Sequence, residues 1–261
     1  MLYLKLRAAQ TLKNGVNRTV FSLPGGRATT TTQHTMPDMP AAPTPIAVSA
    51  RRIVVLGILA GYVDALSFAH LGGLFASAMT GNTTHLSAAL AHHTIGHAIL
   101  LACVLAIFFG AAFVASLARL RWGAAYGIAL MALLLLVVQG AQFGSHARLA
   151  ELVLLPALMA VQGEGMARFS GNAIQTVVIT SNMLKCASAL AAAVAIRCGA
   201  SKVAPPPAGA IVLPALSWGG FACGAVLGAL VLLWRAPLPF LWPLPWLAIL
   251  YIDIAPTRTR H

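Results

Sequence analysis

Apolar residues dominate six stretches of this chain, at positions 53–71, 98–117, 124–138, 152–167, 208–234 and, less cleanly, 238–254. Each approaches or exceeds the length of about twenty residues that crosses a bilayer as a helix. None shows the apolar/polar alternation of a barrel strand, and backbone in lipid must satisfy its own polar groups, so the stretches predict helices. Two further segments, 75–91 and 173–196, carry Thr, Asn and a basic residue where a lipid-facing helix would be apolar. The pattern predicts an all-α, polytopic helical membrane protein of about six transmembrane spans, with the two polar segments broken or re-entrant.

Those two segments also repeat each other. Met79-Thr80-Gly81-Asn82 and Ile179-Thr180-Ser181-Asn182 share a Thr-x-Asn core one hundred positions apart. Without a gap, the same register pairs Asp64 with Glu164, His85 with Lys185, and Ala89-Leu90-Ala91 with Ala189-Leu190-Ala191. The expectation is an internal repeat, with one half at 51–145 and the other at 146–261, behind a polar tail at 1–50.

Composition reinforces the membrane reading, since 59% of 261 residues are hydrophobic, 8% are charged and the mean hydropathy is +0.84. No soluble domain needs so much apolar surface. The net charge of +12 comes from the tail and the span ends rather than from one face, which reads as topology and not as a nucleic-acid surface. The tail is rich in Thr, Pro and Arg with Asp38 as its only acid, so it is expected to be mostly disordered. It has no apolar core of a secretory signal. Its composition fits a mitochondrial transit peptide, but a start at Met36 or Met39 is the favoured reading.

Basic residues concentrate on the cytoplasmic side of span ends, which allows two threadings to be compared. If both polar segments cross, eight spans place Arg119, Arg121, Arg168 and Arg235 outside, against Arg51, Arg52, Arg148, Arg197, Lys202, Arg258 and Arg260 inside. If both are re-entrant, six spans leave only Arg148 and Arg235 outside. The second asymmetry is better, and three spans per half make the halves insert oppositely. Inverted repeats with broken helices near the midplane are a transporter architecture.

Small residues spaced by four, at Gly57/Gly61, Ala102/Ala106/Gly110, Gly123/Gly127 and Gly220/Gly224/Gly228, predict close helix packing. Pro205-Pro206-Pro207 marks a stiff loop, and Pro237, Pro239, Pro243 and Pro245 make the last span irregular. Trp218, Trp234, Trp242, Trp246 and Tyr251 read as interfacial anchors. Cys103, Cys186, Cys198 and Cys223 lack paired spacing and read as small packing residues. No phosphate loop, nucleophile elbow or zinc-protease helix is present, so no cofactor and no enzymatic chemistry are expected.

The candidate site is the polar constellation inside the apolar segments. Asp64 lies mid-span on a face with Gly61, Ser67 and Phe68, and a lipid-facing charge there would cost about 2.5 to 3.5 kcal/mol. It either finds donors or stays protonated, as a proton or cation site or as a clamp between helices. Thr80, Asn82, Thr83, Thr84, Thr180, Ser181 and Asn182 offer oxygens and amides where Gly81 or Ser181 lets a helix open, a set suited to a dehydrated cation or small polar solute. Capping of broken helix ends is the alternative. His93 and His97 have the spacing of two helical metal ligands, but no carboxylate or Cys completes a set, and with His92 they read as a loop or interface cluster.

Gly61-Tyr62-Val63-Asp64-Ala65-Leu66-Ser67-Phe68, followed by Met79-Thr80-Gly81-Asn82, resembles the YoaK-like family of bacterial multi-pass membrane proteins of unassigned function. Gln162 and Ile179-Thr180-Ser181-Asn182 match its second-half signature, and the resemblance covers residues 52–246. It implies six spans in the bacterial inner membrane. The chain departs from the family's Gln-Asn-Ala, reading Gln162-Gly163-Glu164-Gly165, so the family register pairs Asp64 with Gly163 and not Glu164. Ser181 stands where the family usually has Gly.

The leading expectation is a transporter or channel-like protein for a small solute or cation, with Asp64, Thr80, Gly81, Asn82, Gln162, Thr180, Ser181, Asn182 and, on the ungapped register alone, Glu164 at a central site. Its partners would be the bilayer and an unidentified solute or cation, without nucleic acid, and a homo-oligomer is compatible with the pattern. A non-transporting scaffold or assembly factor is the main rival, and an intramembrane enzyme using Asp64 with His70 is a second.

Overall fold

A computed structural model describes residues 45–122, 124–165, 179–199 and 203–254. Almost all of the tail, Arg168, Lys202, Arg258, Arg260 and the first part of segment 173–196 lie outside the described residues. The described chain forms eight α-helices, α1 (Ile46–His70), α2 (Met79–Ala91), α3 (Ile95–Trp122), α4 (Ala124–Ala141), α5 (Ala147–Gly165), α6 (Ile179–Arg197), α7 (Val212–Leu233) and α8 (Leu244–Ile254). The six apolar stretches correspond to α1, α3, α4, α5, α7 and α8, with a 3₁₀ turn at Pro239–Leu241 opening the last.

By length and composition, α1, α3, α6 and α7 can each cross a membrane, while the helices around 125–141 and 239–254 are apolar but shorter. The two polar segments therefore differ. At 13 residues α2 rises about 20 Å, short of a hydrocarbon core of about 30 Å, whereas the 19 residues of α6 rise about 28 Å.

Helix α1 is the core, with Ile53, Leu56, Leu59, Ala60, Tyr62, Val63 and Leu66 at most 1% exposed. Its main partner is α7, along the Gly57/Gly61 and Gly220/Gly224/Gly228 stripes. A Cβ on Gly61 would lie 1.9 Å from the Phe221 carbonyl oxygen, and one on Gly224 would lie 2.0 Å from that of Ile58. Backbones approach this closely only where both surfaces lack side chains. The other stripes behave differently: Ala102, Ala106 and Gly110 are exposed on α3, with nothing within 4 Å of a Cβ on Gly110. Gly123 lies outside the described residues, and Gly127 lines a small crevice with Ala115, Ala118 and Val161.

Contacts fix the helix directions. Val54 meets Gly220 and Tyr62 meets Gly228, so α1 and α7 run parallel. Gln162 reaches Leu56 and Glu151 reaches His70, so α1 and α5 are antiparallel. Helix α3 runs with α5, since Leu152 packs against the cluster that holds Ala98, Leu101 and Val104 while Glu164 meets Ser116. Helix α4 opposes α5 through Gln142 and Glu151 at one end and Leu130 beside Val161 at the other. Helix α8 opposes α1, with Asp253 on Arg51 and Trp246 on Tyr62.

Two sequence expectations change. Trp246 is a packing residue, its ring edge-on to Tyr62 at 5.9 Å, while Trp218, Trp234, Trp242 and Tyr251 are exposed as anchors would be. Cys103, Cys198 and Cys223 are exposed and Cys186 is half-buried, so they are outward-facing free thiols and not core packing.

Candidate functional site

The polarity of the first Thr-x-Asn segment is used to fold the chain back on itself. After α1 ends at His70, Gly72 and Gly73 take φ values of +68° and +93°, which residues with a Cβ rarely adopt. The chain then descends along α1 until the Ser77 amide and hydroxyl donate to the two Asp64 carboxylate oxygens at 2.7 and 2.5 Å. Asp64 lies about 9 Å down α1 from His70, so residues 71–91 enter the bundle and return to the same end. Ser67 Oγ donates to the Leu74 carbonyl at 2.9 Å within the descent.

Asn82 holds the same loop from the other side. Its Oδ1 accepts from the Phe75 amide at 3.0 Å, its Nδ2 donates to the Phe75 carbonyl at 2.7 Å, and it is fully buried. Removing the amide strands two backbone groups, each worth about 1 to 3 kcal/mol when left unsatisfied. Asn82→Ala is therefore expected to lower stability by at least about 2 kcal/mol, measured as detergent-solubilised unfolding.

The expectation that Gly81 or Ser181 opens a helix is corrected. Gly81 lies inside the intact first turn of α2, which begins at Met79, and Ser181 lies within α6. The break falls before α2, where Asp64 and Asn82 supply the partners of the irregular backbone. Thr83 and Thr84 donate to the carbonyls of Met79 and Thr80, four residues back, and point out of the bundle. His93 has φ +56° in the turn between α2 and α3, so it does not share a helix with His97, and no group of three metal-ligating side chains occurs among the described residues.

Thr80 and Gly81 of α2 and Ile179 and Thr180 of α6 face one cavity of about 550 Å³. Asp64, Ser77, Thr80 and Gly81 line it from one side, and Gly163, Glu164 and Thr180 from the other. Both candidate partners of Asp64 are thus present. Phe75, Phe108 and Phe221 supply aromatic wall. Glu164 accepts from Ser116 Oγ at 2.6 Å, with Arg119 Nη2 at 3.9 Å.

The remaining candidates sit elsewhere. Gln162, fully buried, donates to the Leu56 carbonyl at 2.9 Å and ties α5 to α1. Asn182 donates to Ser217 Oγ at 2.9 Å and ties α6 to α7. Ser181 lines a separate cavity of about 720 Å³ with Lys185, Ser188 and Pro207.

Sequence reasoning missed Glu151, which is 2% exposed, takes a 2.8 Å bond from Gln142 Nε2 and lies 3.1 Å from His70 Nδ1. An acid within the 19 residues of α5 was the available signal. At the opposite end, Arg51 pairs with Asp253, and Arg52 donates to the Asp253 carbonyl at 2.8 Å.

A family model described as DUF1275, a protein of unknown function, matches residues 53–252. No curated protein and no solved structure matches the chain.

Proposed function

We propose, for a chain that belongs to the DUF1275 family, that it is a bacterial inner-membrane transporter or channel-like protein moving a small solute or cation through the cavity between α2 and α6. The single observation that carries this reading is that Thr80 and Thr180, one from each half, converge with Asp64 and Glu164 on one cavity inside an apolar bundle. Interiors of this kind are otherwise close-packed.

Three further observations support it. The pairs α1/α5, α3/α7 and α4/α8, which occupy matching places in the two halves, each run antiparallel, as inverted repeats require. The succession of buried and exposed positions along 79–90 recurs along 179–190 at all but one position. The helix directions gather Arg51, Arg52, Arg119 and Arg121 at one end and leave Arg148 and Arg235 at the other, the distribution of the six-span threading.

Asp64 then anchors the re-entrant loop while facing the cavity, and no covalent chemistry is invoked. His70 pairs with Glu151, which leaves Asp64 without the base that an enzymatic reading needs. The scaffold alternative draws on the fact that Asp64 and Asn82 both make loop-holding bonds. Flux into proteoliposomes separates the two. Transport predicts uptake of at least one solute or cation class that falls at least tenfold in Glu164→Gln at unchanged protein content. Absence of movement for every class tried, with abundance as the sole casualty of substitutions in the cavity, supports the scaffold.

A further inference from the structure

The charge and the wall chemistry of the cavity narrow its occupant. Its lining holds two carboxyl groups, Asp64 and Glu164, and no basic side chain among the described residues. The start of α2 contributes about half a positive charge, which offsets only part of the two negative charges. Arg119 stands outside the lining and pairs with Glu164 Oε2 at 3.9 Å, an ion pair beyond hydrogen-bond range. Both Asp64 oxygens are engaged by Ser77, whereas Ser116 and Arg119 reach only Oε2 of Glu164 and its side chain is 38% exposed, leaving Glu164 Oε1 as the carboxylate oxygen open to a ligand.

An anion would enter against both carboxylates. A bare inorganic cation needs oxygen donors around most of its surface, yet much of this wall is Phe75, Phe108 and Phe221 with alanines between them. Aromatic faces attract organic ammonium groups, and about 550 Å³ lies in the range of small-molecule sites. We infer that the cavity takes a small organic monocation with an apolar body, its charge at Glu164, its body against the phenylalanine rings, and the Thr80 and Thr180 hydroxyls beside it. The inference rests on reading that cavity as a solute site.

The test is equilibrium binding of radiolabelled benzyltrimethylammonium to the full chain in lipid nanodiscs, with neopentylbenzene as neutral isostere, phenylacetate as anion and sodium ion as competitors. The expected result is saturable binding that none of the three displaces, weakened about tenfold or more in Glu164→Gln, restored in part by Glu164→Asp, and weakened about threefold in Phe221→Leu. Equal affinity for neopentylbenzene, displacement by phenylacetate or sodium, no saturable binding, or binding unchanged in Glu164→Gln each overturns the inference. Binding without uptake into proteoliposomes would remove the transport reading and leave this one. Uptake of an inorganic cation or an anion without benzyltrimethylammonium binding would do the reverse.

Discussion

Gly224→Ala is expected to abolish or severely reduce recovery of folded protein, with any remainder destabilised by about 3 kcal/mol or more. The added methyl would lie 2.0 Å from the Ile58 carbonyl oxygen and 2.7 Å from its carbon. Overpacking costs about 1 to 3 kcal/mol where side chains can adjust, but here the obstacle is helix backbone. Relief requires α1 and α7 to separate along the most intimate contact in the bundle, and the tight approaches at Gly57, Gly61, Gly220 and Gly228 would be lost with it. Gly61→Ala, whose methyl would meet the Phe221 carbonyl oxygen at 1.9 Å, should behave alike. Gly110→Ala is the control, because its Cβ meets open space and alanine favours helix by about 0.5 to 1 kcal/mol. Size-exclusion recovery and thermal unfolding in detergent would distinguish the three.

Asp64→Ala carries the second large effect. It removes both acceptors of Ser77, and bonds to a charged group are each worth about 1.5 to 3 kcal/mol, so a loss of about 3 kcal/mol or more is expected. The damage should be local first, because Ser77 is where the descending loop meets α1. Proteolysis or deuterium exchange should therefore rise across residues 71–82 before the α1–α7 contact opens. Asp64→Asn keeps one oxygen for the Ser77 amide and an amide nitrogen that the Ser77 hydroxyl can accept from. It should retain most of the stability while removing the negative charge from the cavity wall. A variant that folds and fails to transport assigns the charge to function; one that folds and transports normally confines Asp64 to holding the loop.

The apolar helices were legible because lipid imposes a length and a composition, and no tertiary detail is needed to see either. Their ends were less so. Helix α1 begins seven residues before the apolar stretch at Ile53, because Arg51 and Arg52 reach Asp253 at the bundle end while their backbone stays helical. The glycine stripes were legible as patterns but not as partners: Gly61 and Gly224 face opposing backbone, whereas Gly110 has the same spacing and faces nothing within 4 Å.

The polar residues show the same division. That Asp64, Asn82, Gln162 and Asn182 have to be buried follows from their apolar surroundings. What each one touches depends on the path of the backbone, and Asn82 bonding to Phe75 or Gln162 to Leu56 cannot be read from spacing. The pair formed by His70 and Glu151 joins residues 81 positions apart, and a charge count that treats Arg148 as the signal at that end passes over Glu151.

The central claim is that two halves insert in opposite senses around the cavity, and sidedness measures it directly. Single cysteines at Arg51, Arg121, Arg148 and Arg235, introduced into a chain lacking its four native cysteines, would be labelled in intact cells with a membrane-impermeant maleimide. The account predicts that Arg148→Cys and Arg235→Cys react from outside, while Arg51→Cys and Arg121→Cys react only after permeabilisation. Reaction of Arg121→Cys from outside, with Arg51→Cys still protected, would contradict it.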